Sequence, residues 1–339
     1  MRSLCLKVPK SKGESVRKIL LERGLLDVSL RVRRDGDDVL FPVMSEAATE
    51  TGFPLCDDEF EERRAAETDY SLLAEVPEEL RDSLPTSFDV IGDVAIIKLP
   101  DELLPFSQKV GEALMRTFPR LRTVALDRGV KGELRVRELE VIAGDANLET
   151  SHTEYGVHLL VDPSKVYFNP RLSNERMRVA SLVRRGEVVL DMFSGVGPFA
   201  IMIAKRAKPK VVYAIDLNPD AVTYLRRNIE ANKADKVVAF EGNAREVIFD
   251  LPNLDRIVMN LPHSAIDFFA DALTKLNFGG TIHLYHICDR DDIEQIVEKL
   301  VISARGMGVD IEVTRQEELK TYSPSMSVFA LDLVLHKWS

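Results

Sequence analysis

The alternation of apolar and polar positions changes character along the chain and marks out its modules. Residues 3–8 alternate as an edge strand does, and residues 13–24 place Val16, Ile19 and Leu20 on one helical face. Leu30–Val32 and Val39–Val43 read as strands around the turn Asp35-Gly36-Asp37. A small α/β module thus ends near Cys56, and the charged run from Asp57 to Arg64 reads as a linker or a solvated helix. Further on, Phe88–Ile97 reads as a hairpin and Leu103–Phe118 as a helix. Val124, Arg135–Arg137 and Tyr155–Val161 read as strands. From Leu182 strands and helices alternate regularly, as in βαβ units with a mostly parallel sheet, and Val328–His336 supplies a late strand. The predicted organisation is an N-terminal module over 1–56, a linker over 57–69, a middle α+β module over 70–164, and a Rossmann-like α/β domain over 165–339.

Composition supports a globular chain: 45% of its 339 residues are hydrophobic. No run of 18 apolar residues is present, and Met1–Lys10 lacks the long apolar stretch of a signal peptide, so a cytoplasmic protein is expected. Cys5, Cys56 and Cys288 lack metal-ligand spacing; Cys5 and Cys56, in the same N-terminal segment, are expected as two buried thiols, with a bridge between them as the alternative. No histidine pair has metal-ligand spacing either, so no metal is expected. His283 and His286 flank a strand end near the expected pocket, whereas His152, His158 and His336 read as surface or satisfied core positions. The net charge of −10 is unevenly spread. Residues 1–34 carry ten Lys/Arg against three acids, 35–104 carry twenty acids against four basic residues, and 109–137 turn basic again. Two basic surfaces able to meet a polyanion, or ordinary solvated helix faces, both fit that distribution.

The most specific chemistry lies in Val188-Val189-Leu190-Asp191-Met192-Phe193-Ser194-Gly195-Val196-Gly197-Pro198-Phe199-Ala200. A buried strand enters a glycine turn and then a helix whose first turn tolerates Pro198. Gly195 and Gly197 let backbone amides approach a ligand. Asp216 ends the next strand, where an acid can accept both ribose hydroxyls of a nucleoside. The glycine spacing also fits a dinucleotide site. Asp191 helps to decide, because a carboxylate at the lip would repel a pyrophosphate yet suits S-adenosylmethionine, which carries an ammonium, a sulfonium and no phosphate. Arg256–Met259 is the fourth strand of the series, and it delivers Asn260 and Pro262 to the same crevice.

With these motifs the chain resembles the archaeal and eukaryotic type of tRNA (guanine-37-N1)-methyltransferase, especially the archaeal form with an extra N-terminal domain. The resemblance also rests on Leu4–Lys7, Lys131–Glu140 and Lys165–Arg176 and covers nearly the whole sequence. It implies a class I methyltransferase domain behind two smaller domains, S-adenosylmethionine as cofactor, and tRNA as partner through its anticodon loop and outer corner. It assigns the guanine-contacting cation to Arg135, the general base to Glu175, and an Asn-Pro site to Asn260 and Pro262. Tyr167, Asp191, Phe193, Gly195, Gly197, Asp216, Leu217, Asn243, Asn260 and Pro262 would hold the cofactor, Asn243 standing where the family usually has an acid. Arg135, Arg171, Lys10, Lys12 and Arg17 would meet tRNA, and a monomer is expected. The closest rival is aminocarboxypropyl transfer to a modified guanosine-37 in wybutosine synthesis. Gly197-Pro198-Phe199 and Asn260-Leu261-Pro262 favour methyl transfer, while His263 leans the other way. A non-catalytic tRNA-binding protein and a dinucleotide oxidoreductase are the remaining alternatives.

Overall fold

The computed structural model describes residues 2–27, 29–44, 51–61, 69–132, 136–323 and 325–337. They form two compact units, Met1–Glu75 with Arg116–Phe118, and Val76–Met115 with Pro119–Ser339. No helix among the described residues is long and apolar enough to cross a membrane.

Among the described residues, the first unit holds a four-stranded antiparallel sheet and one α-helix. The strands β1 (Arg2–Pro9), β2 (Arg33–Asp35), β3 (Asp38–Pro42) and β4 (Leu55–Glu59) lie in the order β2-β3-β1-β4, and α1 (Gly13–Glu22) follows β1. β1 is therefore central rather than an edge. Leu6 and Val8 pack with Val16 and Leu20 on one face, and Cys5 packs with Leu30, Leu40 and Phe60 on the other. Two further expectations change. Asp57–Glu59 belong to a strand rather than a linker, and the strand expected at Leu30–Val32 begins only at Arg33. β4 shows no apolar alternation because acids occupy its exposed positions, a usual way to protect a sheet edge. Residues 62–68 of the expected linker lie outside the described residues. Pairing of β1 with β4 sets Cys5 opposite Cys56 with their Cα atoms 4.8 Å apart, and the two form a disulfide instead of the expected thiols. The same pairing interleaves charges that are segregated along the sequence. Arg2 meets Asp57 at 3.0 Å, Lys7 meets Asp35 at 3.1 Å, Arg31 meets Glu61 at 3.2 Å, and Arg33 bonds Asp58. The basic block is thus partly neutralised by the acidic one.

In the second unit, β5 (Asp89–Ile91), β6 (Val94–Ile97), β7 (Thr123–Lys131) and β8 (Val136–Gly144) form a sheet in sequence order; α2 (Ser107–Thr117), which belongs to this unit as far as Met115, comes between β6 and β7 in the chain. A hairpin of β9 (Thr150–Glu154) and β10 (Val157–Val161) leads into α3 (Ser173–Leu182). Then follow β11 (Val188–Asp191), α4 (Pro198–Arg206), β12 (Val211–Asp216), α5 (Pro219–Asn232), β13 (Val237–Glu241), α6 (Ala244–Asp250) and β14 (Leu254–Met259). The chain closes with α7 (Phe269–Lys275), β15 (Leu276–Asp289), α8 (Ile293–Gly306), β16 (Val309–Thr321) and β17 (Met326–Lys337). These last seven strands make one sheet, ordered β13-β12-β11-β14-β15-β17-β16, parallel except for the pairings of β17. The chain leaves β11 towards β12 on one side and later returns on β14 at the other. A crevice therefore opens at the carboxyl ends of β11 and β14.

The sheet is covered on both faces. Val189, Val212, Val258 and Tyr285 pack towards α3, α4 and α5, in a core that also takes in Ile91, Val94 and Ala125 of the middle sheet. Leu190, Ile257, Met259 and Leu284 pack towards α6, α7 and α8. Two asparagines of α5 clip the hairpin down. Asn228 Oδ1 accepts from Leu160 N at 2.7 Å and its Nδ2 donates to Leu160 O at 3.0 Å. Asn232 does the same for His158, at 2.9 and 2.6 Å. Side-chain amides thus complete the backbone pairing that β10 would otherwise lack on that edge.

Candidate active site

The apolar run of β11 ends in Asp191, which is fully buried. The turn after it is braced from both neighbouring strands: Met192 N donates to Val258 O at 2.9 Å and Ser194 N to Ile215 O at 2.8 Å. Gly195 (φ +53°) and Gly197 (φ +88°) take left-handed conformations, and a Cβ on Gly197 would strike Leu225. Asp191 Oδ2 accepts Ala200 N at 3.2 Å, while Oδ1 has no partner among the described residues. Burial, helped by the charge of Asp216, pushes its carboxyl up to about 7. Asp216 Oδ2 accepts Gly195 N at 2.6 Å and Oδ1 accepts Asn218 N at 2.9 Å; burial outweighs these bonds and raises this carboxyl too. Two carboxylates therefore crowd one glycine turn, and one of them keeps a buried oxygen unpaired. A buried orphan acceptor of that kind fits a cationic ligand.

Most other expected cofactor residues fall around this turn. Leu217 is exposed directly after Asp216, and the Tyr167 carbonyl lies 3.6 Å from a Cβ built on Gly195. Phe193 packs edge-on against Phe268, with ring centroids 4.9 Å apart. Asn243 is exposed, and its Oδ1 caps α6 by accepting Arg245 N at 3.0 Å. Asn260 leaves β14 at the crevice, and the Pro262 carbonyl is pinned by Ile287 N at 2.9 Å.

A second cluster centres on Glu175, in the first turn of α3 and buried. Its carboxylate accepts from Arg178 Nε at 2.9 Å and Nη2 at 2.7 Å, from Arg315 Nη1 at 3.0 Å and Nη2 at 3.3 Å, and from Tyr285 OH at 2.8 Å. Burial pushes the carboxyl up, but these donors overcome it and hold Glu175 below its ordinary range. The Tyr285 ring lies 5.7 Å from that of Phe199 in the glycine turn's own helix. Met259 of β14 stands opposite Leu284 of β15, so Asn260 and Tyr285 follow at one height and Glu175 sits at the level of the crevice.

Behind Glu175 runs a buried polar chain. Arg178 bonds Asp332 at 2.7 and 3.1 Å, Asp332 bonds His283 Nδ1 at 2.6 Å, and Arg256 Nη1 stands 2.7 Å from His283 Nε2. A guanidinium only donates, so His283 Nε2 is the acceptor and Nδ1–H donates to Asp332. His283 is thus a neutral core residue and not the pocket-flanking histidine that its position predicts. His286 is half-buried, and burial lowers its imidazole.

Among the residues expected to meet RNA, Arg135 lies outside the described residues. Arg171 is exposed and bonds Asp89 at 2.7 Å, which also takes Arg137 at 3.1 Å; Lys320 faces the same group. Burial holds the Lys320 amine below its ordinary value. Lys10 pairs with Asp37 at 3.8 Å, Lys12 lies 5.9 Å over the Phe53 ring, and Arg17 belongs to α1 of the first unit. Arg137, Arg178, Tyr285, Arg315, Lys320 and Asp332 are absent from the sequence-derived site. The one local signal was Asp332, a lone charge inside the apolar run Val328–Leu335.

Comparison with known proteins bears on the family of the chain. The model of the TRM5/TYW2 methyltransferase domain matches residues 150–312. The tRNA methyltransferase 5 N-terminal domain matches 5–49 and the TYW2 N-terminal domain 69–147. Over 332 residues the chain is 40% identical to tRNA (guanine(37)-N(1))-methyltransferase Trm5b of Pyrococcus abyssi, covering 97% of this chain and 98% of the relative. The chain belongs to the TRM5/TYW2 methyltransferase family. The Pyrococcus abyssi Trm5b crystal structure superposes with a TM-score of 0.76 at 40% identity, covering 98% and 99% of the two chains. A complex of aTrm5 with tRNALeu gives 0.69 at 36% identity, covering 98% and 99%. Methanocaldococcus jannaschii Trm5 in complex with adenosine gives 0.66 at 34% identity, covering 99% and 100%. In TRM5/TYW2 terms, the seven-stranded sheet and the glycine turn lie within the methyltransferase domain and the disulfide-bonded sheet at the N-terminal match.

Proposed function

We propose that this methyltransferase transfers the methyl group of S-adenosylmethionine to N1 of guanosine-37 in tRNA. The observation that carries the reading is Asp191, a buried carboxylate at a glycine turn with one oxygen unpaired among the described residues. That oxygen suits the ammonium of the methyl donor, and it would repel the pyrophosphate of a dinucleotide. Asp216 would hold the ribose hydroxyls, Leu217, Asn243, Phe193 and Tyr167 would line the nucleoside, and the Asn260–Pro262 loop would meet the purine. S-adenosylmethionine, when bound, supplies a methyl group activated by its sulfonium.

Guanine N1 carries a proton and is a poor nucleophile until that proton leaves. Glu175 accepts it as N1 takes the methyl group, and Arg135 steadies the negative charge that moves onto O6. General-base help of this kind is worth about 10²–10⁴-fold, and a preorganised cation at the oxyanion is of similar scale. Arg178 and Tyr285 hold Glu175 ionised and in place. The target purine leaves its stack to reach the pocket, which distorts the anticodon loop. Arg171 with Arg137 and Lys320 supplies cations for phosphates near the site, and Lys10, Lys12 and Arg17 serve the outer corner of the tRNA. The enzyme acts as a cytoplasmic monomer.

Glu175→Ala is expected to lower the single-turnover methylation rate at least about 100-fold while tRNA affinity changes little. An unchanged single-turnover rate removes Glu175 from the role of base.

A further inference from the structure

Glu175 has more donors than its oxygens have room for. A carboxylate offers about four lone-pair sites. Oε1 takes Arg178 Nη2 at 2.7 Å, Tyr285 OH at 2.8 Å and Arg315 Nη1 at 3.0 Å, and Oε2 takes Arg178 Nε at 2.9 Å and Arg315 Nη2 at 3.3 Å. An incoming N–H therefore finds no free acceptor. If Glu175 is the base, as proposed above, one donor must leave before the purine can be deprotonated.

The three donors are not equally held. Arg178 is gripped from behind by both oxygens of Asp332, which is fixed in turn by His283. Tyr285 is 1% exposed and packs on Phe199. Arg315 makes the longest contacts. It sits on β16, the edge strand of the sheet, beside a register shift between Val313 and Arg315. Its guanidinium already has a second partner, donating to Glu317 from Nε at 3.0 Å and from Nη2 at 2.6 Å, and the Glu317 side chain is 57% exposed. An exit is thus built beside the contact.

We propose that Arg315 is a displaceable cap on Glu175, which shields the carboxylate in the RNA-free enzyme and withdraws to Glu317 when the substrate purine enters. Arg315 is a positioning residue, and its removal has a signature that a fixed ion pair lacks. Among the described residues, the charged and titratable groups bonded to Glu175 are Arg178 of α3, Tyr285 of β15 and Arg315 of β16, with Asp332 of β17 behind Arg178. Only Arg315 changes place between the free and the bound enzyme.

The acid limb of kcat/KM reports the free enzyme, and that of the single-turnover rate at saturating tRNA reports the complex. With the cap on only in the free enzyme, the wild-type kcat/KM limb lies at lower pH than the saturated limb. Arg315→Met moves the kcat/KM limb up by about one pH unit or more, the usual effect of losing a neighbouring cation, and leaves the saturated limb in place. Arg315→Lys, which keeps the charge but cannot span both oxygens, gives an intermediate shift and covers the case in which the Met variant fails to fold. Limbs that move together, or a kcat/KM limb that stays put in both variants, overturn the cap while Glu175 remains the base. A Glu175→Gln enzyme that keeps both its rate and its acid limb overturns the base assignment, and the cap with it.

Discussion

Replacing Asp191 by asparagine should make the protein more stable at alkaline pH and a worse binder of its methyl donor. Burial raises the Asp191 carboxyl from its ordinary 3.8 to about 7. At roughly 1.4 kcal/mol for each tenfold, the ionised form costs the folded state about 4 kcal/mol. The sign follows from proton counting. Between about pH 4 and 7 the folded state holds a proton that the unfolded state has lost, so stability falls as pH rises through that window and levels off above it. An asparagine cannot ionise and can still accept the Ala200 N–H, but it carries two donors where the protonated acid carries one, and an extra buried donor left unpaired costs about 1–3 kcal/mol. Asp191→Asn should therefore gain about 1–3 kcal/mol at pH 8 and lose a similar amount at pH 4, a crossing that urea denaturation at the two pH values resolves. Donor affinity should fall about 10–100-fold, since charged hydrogen bonds contribute about 1.5–3 kcal/mol. Calorimetry in two buffers of different ionisation enthalpy gives an independent check. Wild-type enzyme at pH 7 should release a fraction of a proton on binding S-adenosylmethionine, and the variant none. A variant that binds the donor as well as wild type, or whose stability follows pH in the same way, refutes this use of Asp191.

Three further outcomes follow from the packing. Asp332 is held well below its ordinary range because His283 and Arg178 outweigh its burial, so it supports the fold above pH 4 and ceases to do so as pH falls below that. Asp332→Asn should thus cost about 3–5 kcal/mol at pH 7 in urea denaturation, with the gap narrowing in acid; a pH-independent difference is the contrary result. The Cys5–Cys56 bond closes a loop across a sequence separation of 51, which corresponds to about 4 kcal/mol of chain entropy. Reductant should lower an unfolding transition of the full chain in scanning calorimetry, and superposable traces would count against a contribution from the bond. Asn228→Ala strips both Leu160 backbone groups of a partner and should cost about 2–5 kcal/mol, with faster hydrogen exchange at the Leu160 amide. Unchanged exchange there would mean that the clip is dispensable.

What the sequence revealed and what it hid divide along contact range. Asp191, the glycines and Asp216 were legible because a strand, a turn and a helix start lie within a dozen residues, and the next strand end follows at the spacing of one βαβ unit. The crevice was legible for the same reason, since regular alternation fixes a parallel sheet and with it a switch point. Glu175 emerged only through family resemblance, and its partners did not emerge at all. Arg315 and Asp332 stand 140 and 157 residues further on, so no local spacing links them to it. β16 went unread because its outward positions are charged and its apolar alternation is weak. In the first unit, the acidic β4 conceals two things at once. The register that bonds Cys5 to Cys56 was hidden, and so was the pairing that brings Asp57 and Asp58 beside Arg2 and Arg33. Charge blocks that look like separate surfaces along a chain can thus fold into one mixed surface.

The most direct test incubates the purified protein with labelled S-adenosylmethionine and tRNA transcripts that differ only in carrying G or A at position 37, followed by mass analysis of the modified nucleoside. A single added methyl on G37 and none on A37 is the expected result. No transfer, equal transfer to both transcripts, or the larger mass of an aminocarboxypropyl group would contradict the account.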